Sequence, residues 1–166
     1  MSEYYAKVIW QRGSNEAYTD NKYSRAHQWS FDGGLNVPAS SSPHVVPLPY
    51  SNEDNLDPEE AFVASLSSCH MLFFLSIAAQ KGFVVDHYLD NAIGIMAKNN
   101  LRKMAMTEVR LRPQVNFSSG RQPSLQELEE MHELAHDKCF IANSVTTKVV
   151  TEILLADEEA NEYGQN

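Results

Sequence analysis

The chain has 166 residues, 43% of them hydrophobic and 21% charged, which suits one globular domain long enough to bury a core. A formal net charge of −9 with 13 scattered Lys and Arg residues excludes a reader of nucleic-acid phosphates, which needs clustered cations, and opposes docking on an anionic membrane. The N-terminal MSEYYAKVIWQRG lacks a basic stretch leading into an apolar run, so the expectation is a cytoplasmic protein. Two cysteines in a reducing compartment are too few for a Cys-only zinc site and suit a redox pair better than a stable disulfide.

Taken in chain order, residues 4 to 50 read as β structure. Tyr4 to Trp10 is aromatic and β-branched. Trp29 and Phe31 alternate with Gln28 and Ser30, and Asp32-Gly33-Gly34 is a turn signal. The proline-rich stretch from Pro38 to Pro49 is expected to be an extended loop with room for a short strand at Val45-Val46.

A long helix follows. Asp57 is a good N-cap, Pro58 suits the first helical position, and Glu60 stands three residues after the cap. The helix is expected to reach Gln80 or Lys81 and to stop at Gly82, a C′ glycine. Ala61 to Ala79 holds no Asp, Glu, Lys or Arg, and its length approaches that of a membrane span. Its four serines, its histidine and its setting among soluble patterns instead point to a core helix, at the centre of a fold or at a subunit interface.

Beyond it, Tyr88 to Lys98 and Met104 to Phe117 are strand candidates around an Asn99-Asn100 turn. Ser124 and Glu127 form a capping box for a second helix, on which Leu125, Leu128, Met131 and Ala135 recur at helical spacing and Cys139 continues the stripe. A last strand is expected over Val145 to Leu155, and the acidic Asp157 to Asn166 reads as a mobile tail. The result is an α+β chain with a single domain over residues 1–156 and a tail over 157–166.

Cys69 lies in the middle of the long helix, where a free cysteine is ordinarily a small buried hydrophobe. Three features favour chemistry instead: the polar run Ser67-Ser68-Cys69-His70, a second cysteine at another helix end, and an arginine near an aromatic strand. A cation lowers a thiol's pKa, and a thiolate that attacks a peroxide becomes a sulfenic acid that a second thiol condenses to a disulfide. Cys139 is the one candidate for that second thiol. His70 neighbours Cys69, but adjacent helical residues point about 100° apart, so a direct dyad is not expected. His132 and His136 stand four apart on one helix face, as zinc ligands can, yet on so acidic a helix they read as a solvated pair, and no metal or cofactor is expected. Phe73, Phe74 and Leu75 read equally as pocket wall or plain core.

The segments DPEEAFVASLSSCHM and AHDKCFIANSV, in this order, resemble the osmotically inducible protein C and organic hydroperoxide resistance (OsmC/Ohr) superfamily, in a less characterised branch of it. The resemblance covers about residues 4 to 155. It implies an intertwined homodimer in which antiparallel sheets pack around long cysteine-bearing helices. It also implies an oxidoreductase of the oxidative-stress response, a thiol peroxidase that reduces organic hydroperoxides with electrons from an external dithiol. Carried over residue by residue, the reactive cysteine is Cys69, the resolving cysteine Cys139 and the glutamate Glu59. The arginine falls on Arg25, with Arg12 as the alternative. Ten residues of straight helix span about 15 Å, so Glu59 is expected to serve Cys69 from the other subunit, holding Arg25 by a bidentate ion pair. Two other functions remain open on the same scaffold: binding an apolar ligand without catalysis, and sensing peroxide in a single turnover.

Overall fold

The computed structural model describes residues 1–154, and the expected acidic tail lies outside them. Among the described residues are eight strands and two α-helices, and the chain divides into two compact units, Met1–Ala61 and a second from Phe62 onward.

The first unit holds one antiparallel sheet in the order β1 (Ala6–Ile9), β2 (His27–Phe31), β3 (Asn36–Ala39). Val8 stands opposite Trp29, and Trp29 opposite Val37. The Asp32-Gly33-Gly34 turn forms as expected, with Gly34 at φ +87° and its amide bonded to the Phe31 carbonyl at 3.0 Å. Two expectations need correction. Strand β3 forms across Pro38, which an edge strand tolerates because the missing amide breaks no ladder. No strand forms at Val45-Val46, because both amides turn back to the Ser42 carbonyl at 3.0 Å.

Helix α1 (Pro58–Gln80) is closed at both ends as its residues demand. Asp57 Oδ1 accepts the Glu60 amide at 2.7 Å and Glu60 Oε2 accepts the Asp57 amide at 3.2 Å, a reciprocal box. At the other end Gly82 sits at φ +81°, and the Phe83 amide returns to the Ala78 carbonyl at 2.9 Å.

The second unit places two sheets along this helix. β4 (Val85–Asp90) pairs with β7 (Pro113–Phe117), while β5 (Ile93–Lys98), β6 (Met104–Leu111) and β8 (Lys148–Thr151) form the other. The two long strands expected from the sequence are therefore each broken, at Asn91-Ala92 and at Arg112. Length explains the break: 23 helical residues run about 34 Å, whereas a six-residue strand runs about 20 Å. Asp90 pins the crossing, accepting the Arg112 amide at 2.6 Å and the Ser67 hydroxyl of α1. The sheets are built on antiparallel pairs, as expected, with one parallel pair at an edge. β8 joins β6 in parallel, which the intervening helix α2 (Leu125–Lys138) permits by providing a crossover. β8 is also shorter than the Val145 to Leu155 expected.

Two apolar clusters divide α1 between them. Phe74, Ile77 and Ala78 pack with Phe83, Met131 and Ala135 near β4, β7 and α2. Leu66 packs with Val109 and Leu111 of β6. Each fully buried large side chain contributes about 2 to 3 kcal/mol. The helix is long and apolar enough to cross a membrane by length and composition, yet only 28% of its most apolar stretch is buried in this chain. Ala64, Ser68, Leu72 and Ser76 form an exposed stripe at four-residue spacing.

Strand β5 crosses α1 closely at Gly94, where a Cβ would stand 2.6 Å from Val63 Cγ2 and 2.7 Å from Met106 Sδ. Gly94→Ala is expected to destabilise the fold by about 1 to 3 kcal/mol through overpacking. Gly120→Ala, with nothing within 4 Å of the added carbon, should stay within about 0.5 kcal/mol. Denaturant unfolding of both variants measures the difference.

Candidate functional site

The thiols come from the two helices. Cys69 lies midway along α1 and is half-buried, while Cys139 caps the C-terminus of α2 and is 1% exposed. The chain leaves the helix at Cys139 with extended geometry and enters a short 3-10 helix, Ala142–Ser144. Asn143 ties this corner down, its Nδ2 donating to the Asp137 carbonyl at 2.8 Å and to the Cys139 carbonyl at 3.1 Å. The Ala142 amide points at Cys139 Sγ, 3.4 Å away. Burial, and next the hydrogen bond shared with Cys69, push the Cys139 thiol up to about 11 despite that amide. Cys139 is thus held protonated against the Cys69 sulfur. Phe73 and Phe140 meet edge to face beside the pair at 5.1 Å.

One residue along α1, a second polar bridge joins the same helices. His70 Nε2 and His132 Nδ1 lie 2.9 Å apart, with the residues only 1% and 2% exposed. His132 also stacks on Phe74 at 4.2 Å. The reading of His132 and His136 as a solvated pair is therefore corrected: His132 faces the interior and His136 is half-buried. The spacing carried this signal. Leu128, His132, Ala135 and Cys139 follow the period of one buried helix face, as Leu66, His70 and Phe74 do on α1; the many glutamates of α2 masked it. Among the described residues, no group of three His, Cys, Asp or Glu side chains is placed to hold a metal ion.

Arg25 and Glu59 belong to the first unit, where both line a cavity of about 400 Å³ walled by Trp10, Tyr18 and Tyr23. Tyr18 and Tyr23 stack at 4.6 Å, and Trp10 meets Tyr23 edge-on at 5.4 Å. The Arg25 guanidinium lies 3.8 Å above the Tyr23 ring and donates to the Asn21 carbonyl at 2.9 Å and to Asn21 Oδ1 at 2.8 Å. Asn21 adopts φ +64°, a left-handed conformation that asparagine tolerates. Among the described residues, no ion pair joins Arg25 to Glu59 within the chain. Arg12 bonds to the carbonyls of Gly13 and Glu16 in its own loop and does not line this cavity.

The imidazole pair carries a pH signature. Burial, then the charge of His136, holds His70 down to about 4, and burial, then His70, holds His132 down to about 3. In the unfolded chain both rings take up protons from about pH 6.5 downward. Between these limits the unfolded state binds more protons, so stability is full above about pH 6.5 and falls as the pH drops towards 4. Chemical denaturation should show a loss of about 2 kcal/mol per ring between pH 7 and pH 5, and His132→Phe should flatten that slope.

The chain matches the family model for OsmC-like protein over residues 51–153. Among solved structures it is similar to an OsmC-like protein of unknown function from Vibrio cholerae, at 63% identity and a TM-score of 0.91, with 93% of this chain and 100% of that one covered. An OsmC-like protein from Mycoplasma pneumoniae matches at 15% identity and a TM-score of 0.69, covering 93% of this chain and 97% of that one. An organic hydroperoxide resistance protein from Elizabethkingia anophelis matches at 15% identity and a TM-score of 0.63, covering 93% and 96%; likenesses this distant show the fold alone. A comparison with curated protein sequences finds no match. With more than half its length matched by the family model and a close relative aligned along nearly its whole length, the chain belongs to the OsmC-like protein family.

Proposed function

We propose that the protein is a cytoplasmic, thiol-dependent peroxidase that reduces organic hydroperoxides. The observation that carries this reading is the proximity of Cys69 and Cys139, two free cysteines from different helices, with Cys69 close enough to help raise the Cys139 thiol. The organic hydroperoxide resistance protein from Elizabethkingia anophelis, which shares the fold, supports it.

The Cys69 thiolate attacks one peroxide oxygen. The O–O bond breaks, an alcohol leaves with a proton, and Cys69 becomes a sulfenic acid. Cys139, its neighbour from α2, attacks that sulfur, and water leaves as the disulfide forms. An external dithiol then returns both thiols. The Arg25 guanidinium stabilises the thiolate and the charge developing on the peroxide, and Glu59 orients Arg25. The working unit is a homodimer in which Arg25 and Glu59 serve Cys69. Val8 and Ile9 of β1, 64% and 42% exposed, and Leu72 of α1, 63% exposed, are apolar side chains suited to contact with a second copy.

A dithiol-coupled assay with cumene hydroperoxide tests the reading. An enzyme consumes hydroperoxide over many cycles, a sensor oxidises once, and a ligand-binding protein does neither. Cys69→Ser should abolish turnover, while Cys139→Ser should react once and stall as the sulfenic acid. Arg25→Gln should slow sulfenic acid formation by about 100-fold, the scale of losing one preorganised electrostatic donor. A wild-type protein inert with every dithiol overturns the proposal.

A further inference from the structure

Arg25 sits on a loop, and a side chain that has to meet a reacting atom needs a rigid element behind it. That element begins two residues later, where His27 opens β2. The His27 ring makes two polar contacts. Its Nδ1 lies 2.7 Å from the Arg25 carbonyl oxygen, and its Nε2 lies 3.0 Å from Nε1 of Trp29.

These partners fix where the ring carries its proton. An indole N–H only donates, so Nε2 accepts. A carbonyl oxygen only accepts, so Nδ1 donates. His27 is therefore neutral, with its one proton on Nδ1. The other tautomer, or a second proton, would set an Nε2–H against the Trp29 N–H and break that bond. Trp29 stands in the middle of the sheet, opposite Val8 of β1 and Val37 of β3. A line of hydrogen bonds thus runs from the central strand to the Arg25 main chain. The Arg25 amide adds a second anchor, donating to the Tyr50 carbonyl at 2.8 Å. With both main-chain groups tied, the guanidinium is held by Nη1 on the Asn21 carbonyl and by Nη2 on Asn21 Oδ1. Its Nε–H has no partner among the described residues and stays available to an oxyanion. His27 and Arg25 line the same cavity.

We propose that His27, fixed by Trp29 as the Nδ1–H tautomer, is a positioning residue that sets the Arg25 guanidinium for the peroxide. The inference rests on the role proposed above for Arg25. His27 acts through the Arg25 main chain rather than on the peroxide itself. Trp29 selects its tautomer, and β2 supplies the rigidity.

¹⁵N NMR of the imidazole rings tests this strut without any hydroperoxide, so the strut and the peroxidase reading can fail separately. At neutral pH the His27 ring should show a protonated Nδ1 and a bare Nε2, the opposite of the tautomer that free histidine favours. Trp29→Phe removes the selecting donor and should move His27 towards the Nε2–H form. A wild-type ring with its proton on Nε2, or with two protons, overturns the proposal. The link to Arg25 is read from the rate of sulfenic acid formation at Cys69 in a single turnover. His27→Phe should slow that step about 10- to 100-fold, the scale of a misplaced catalytic group. His27→Asn, whose side-chain amide donates to the Arg25 carbonyl in place of Nδ1, should recover most of the rate. In an Arg25→Gln background His27→Phe should cost nothing further, because the two residues act as one unit. A loss there as large as in the wild type gives His27 a role apart from Arg25 and overturns the proposal. Should the protein form no sulfenic acid, ¹⁵N relaxation of Arg25 Nε takes the place of the rate. A guanidinium ordered in the wild type and loosened in His27→Phe supports the strut; equal order in both overturns it.

Discussion

One long apolar helix has to be covered, and the second unit is organised around that need. α1 is capped at Asp57, stopped at Gly82 and uninterrupted between them. No single short sheet spans its length, so two lie along it end to end, and the strands break where Asp90 holds the crossing. Gly94 lets β5 approach the helix more closely than any side chain would allow. α2 closes the remaining side near the C-terminal half of α1, through Met131 and Ala135. The placement of Cys139 against Cys69 follows from that packing.

The contact between α1 and α2 is polar where a simple core would be apolar. A thiol pair and an imidazole pair occupy consecutive positions along α1, and each is completed by a residue of α2. Burial raises the Cys139 thiol and lowers both histidines, so it favours the uncharged form of these three groups. Two buried ring nitrogens without partners cost free energy.

The first unit applies different physics. Its cavity is walled by stacked aromatic rings, and the Arg25 cation is held over one of them. Carbonyl oxygens take up its donors and fix the orientation of the guanidinium without cancelling its charge. A cation held in this way remains available to an anion.

The sequence by itself determined the elements whose signals are local. The reciprocal box at Asp57 and Glu60, the Gly82 stop, the Ser124–Glu127 box and the Gly34 turn depend on residues within a few positions of one another, and each forms as read. The family segments around Cys69 and Cys139 were legible for the same reason. Only the tertiary structure decided what depends on partners distant in the chain. Pro38 became part of a strand because an edge was available, Val45-Val46 did not because its amides found Ser42, and β8 ran parallel because α2 carried the chain across. His132 is the sharpest case. Its glutamate neighbours made it look solvated, but the face it occupies is buried by a helix 62 residues away in sequence, and no local pattern reports the arrival of His70.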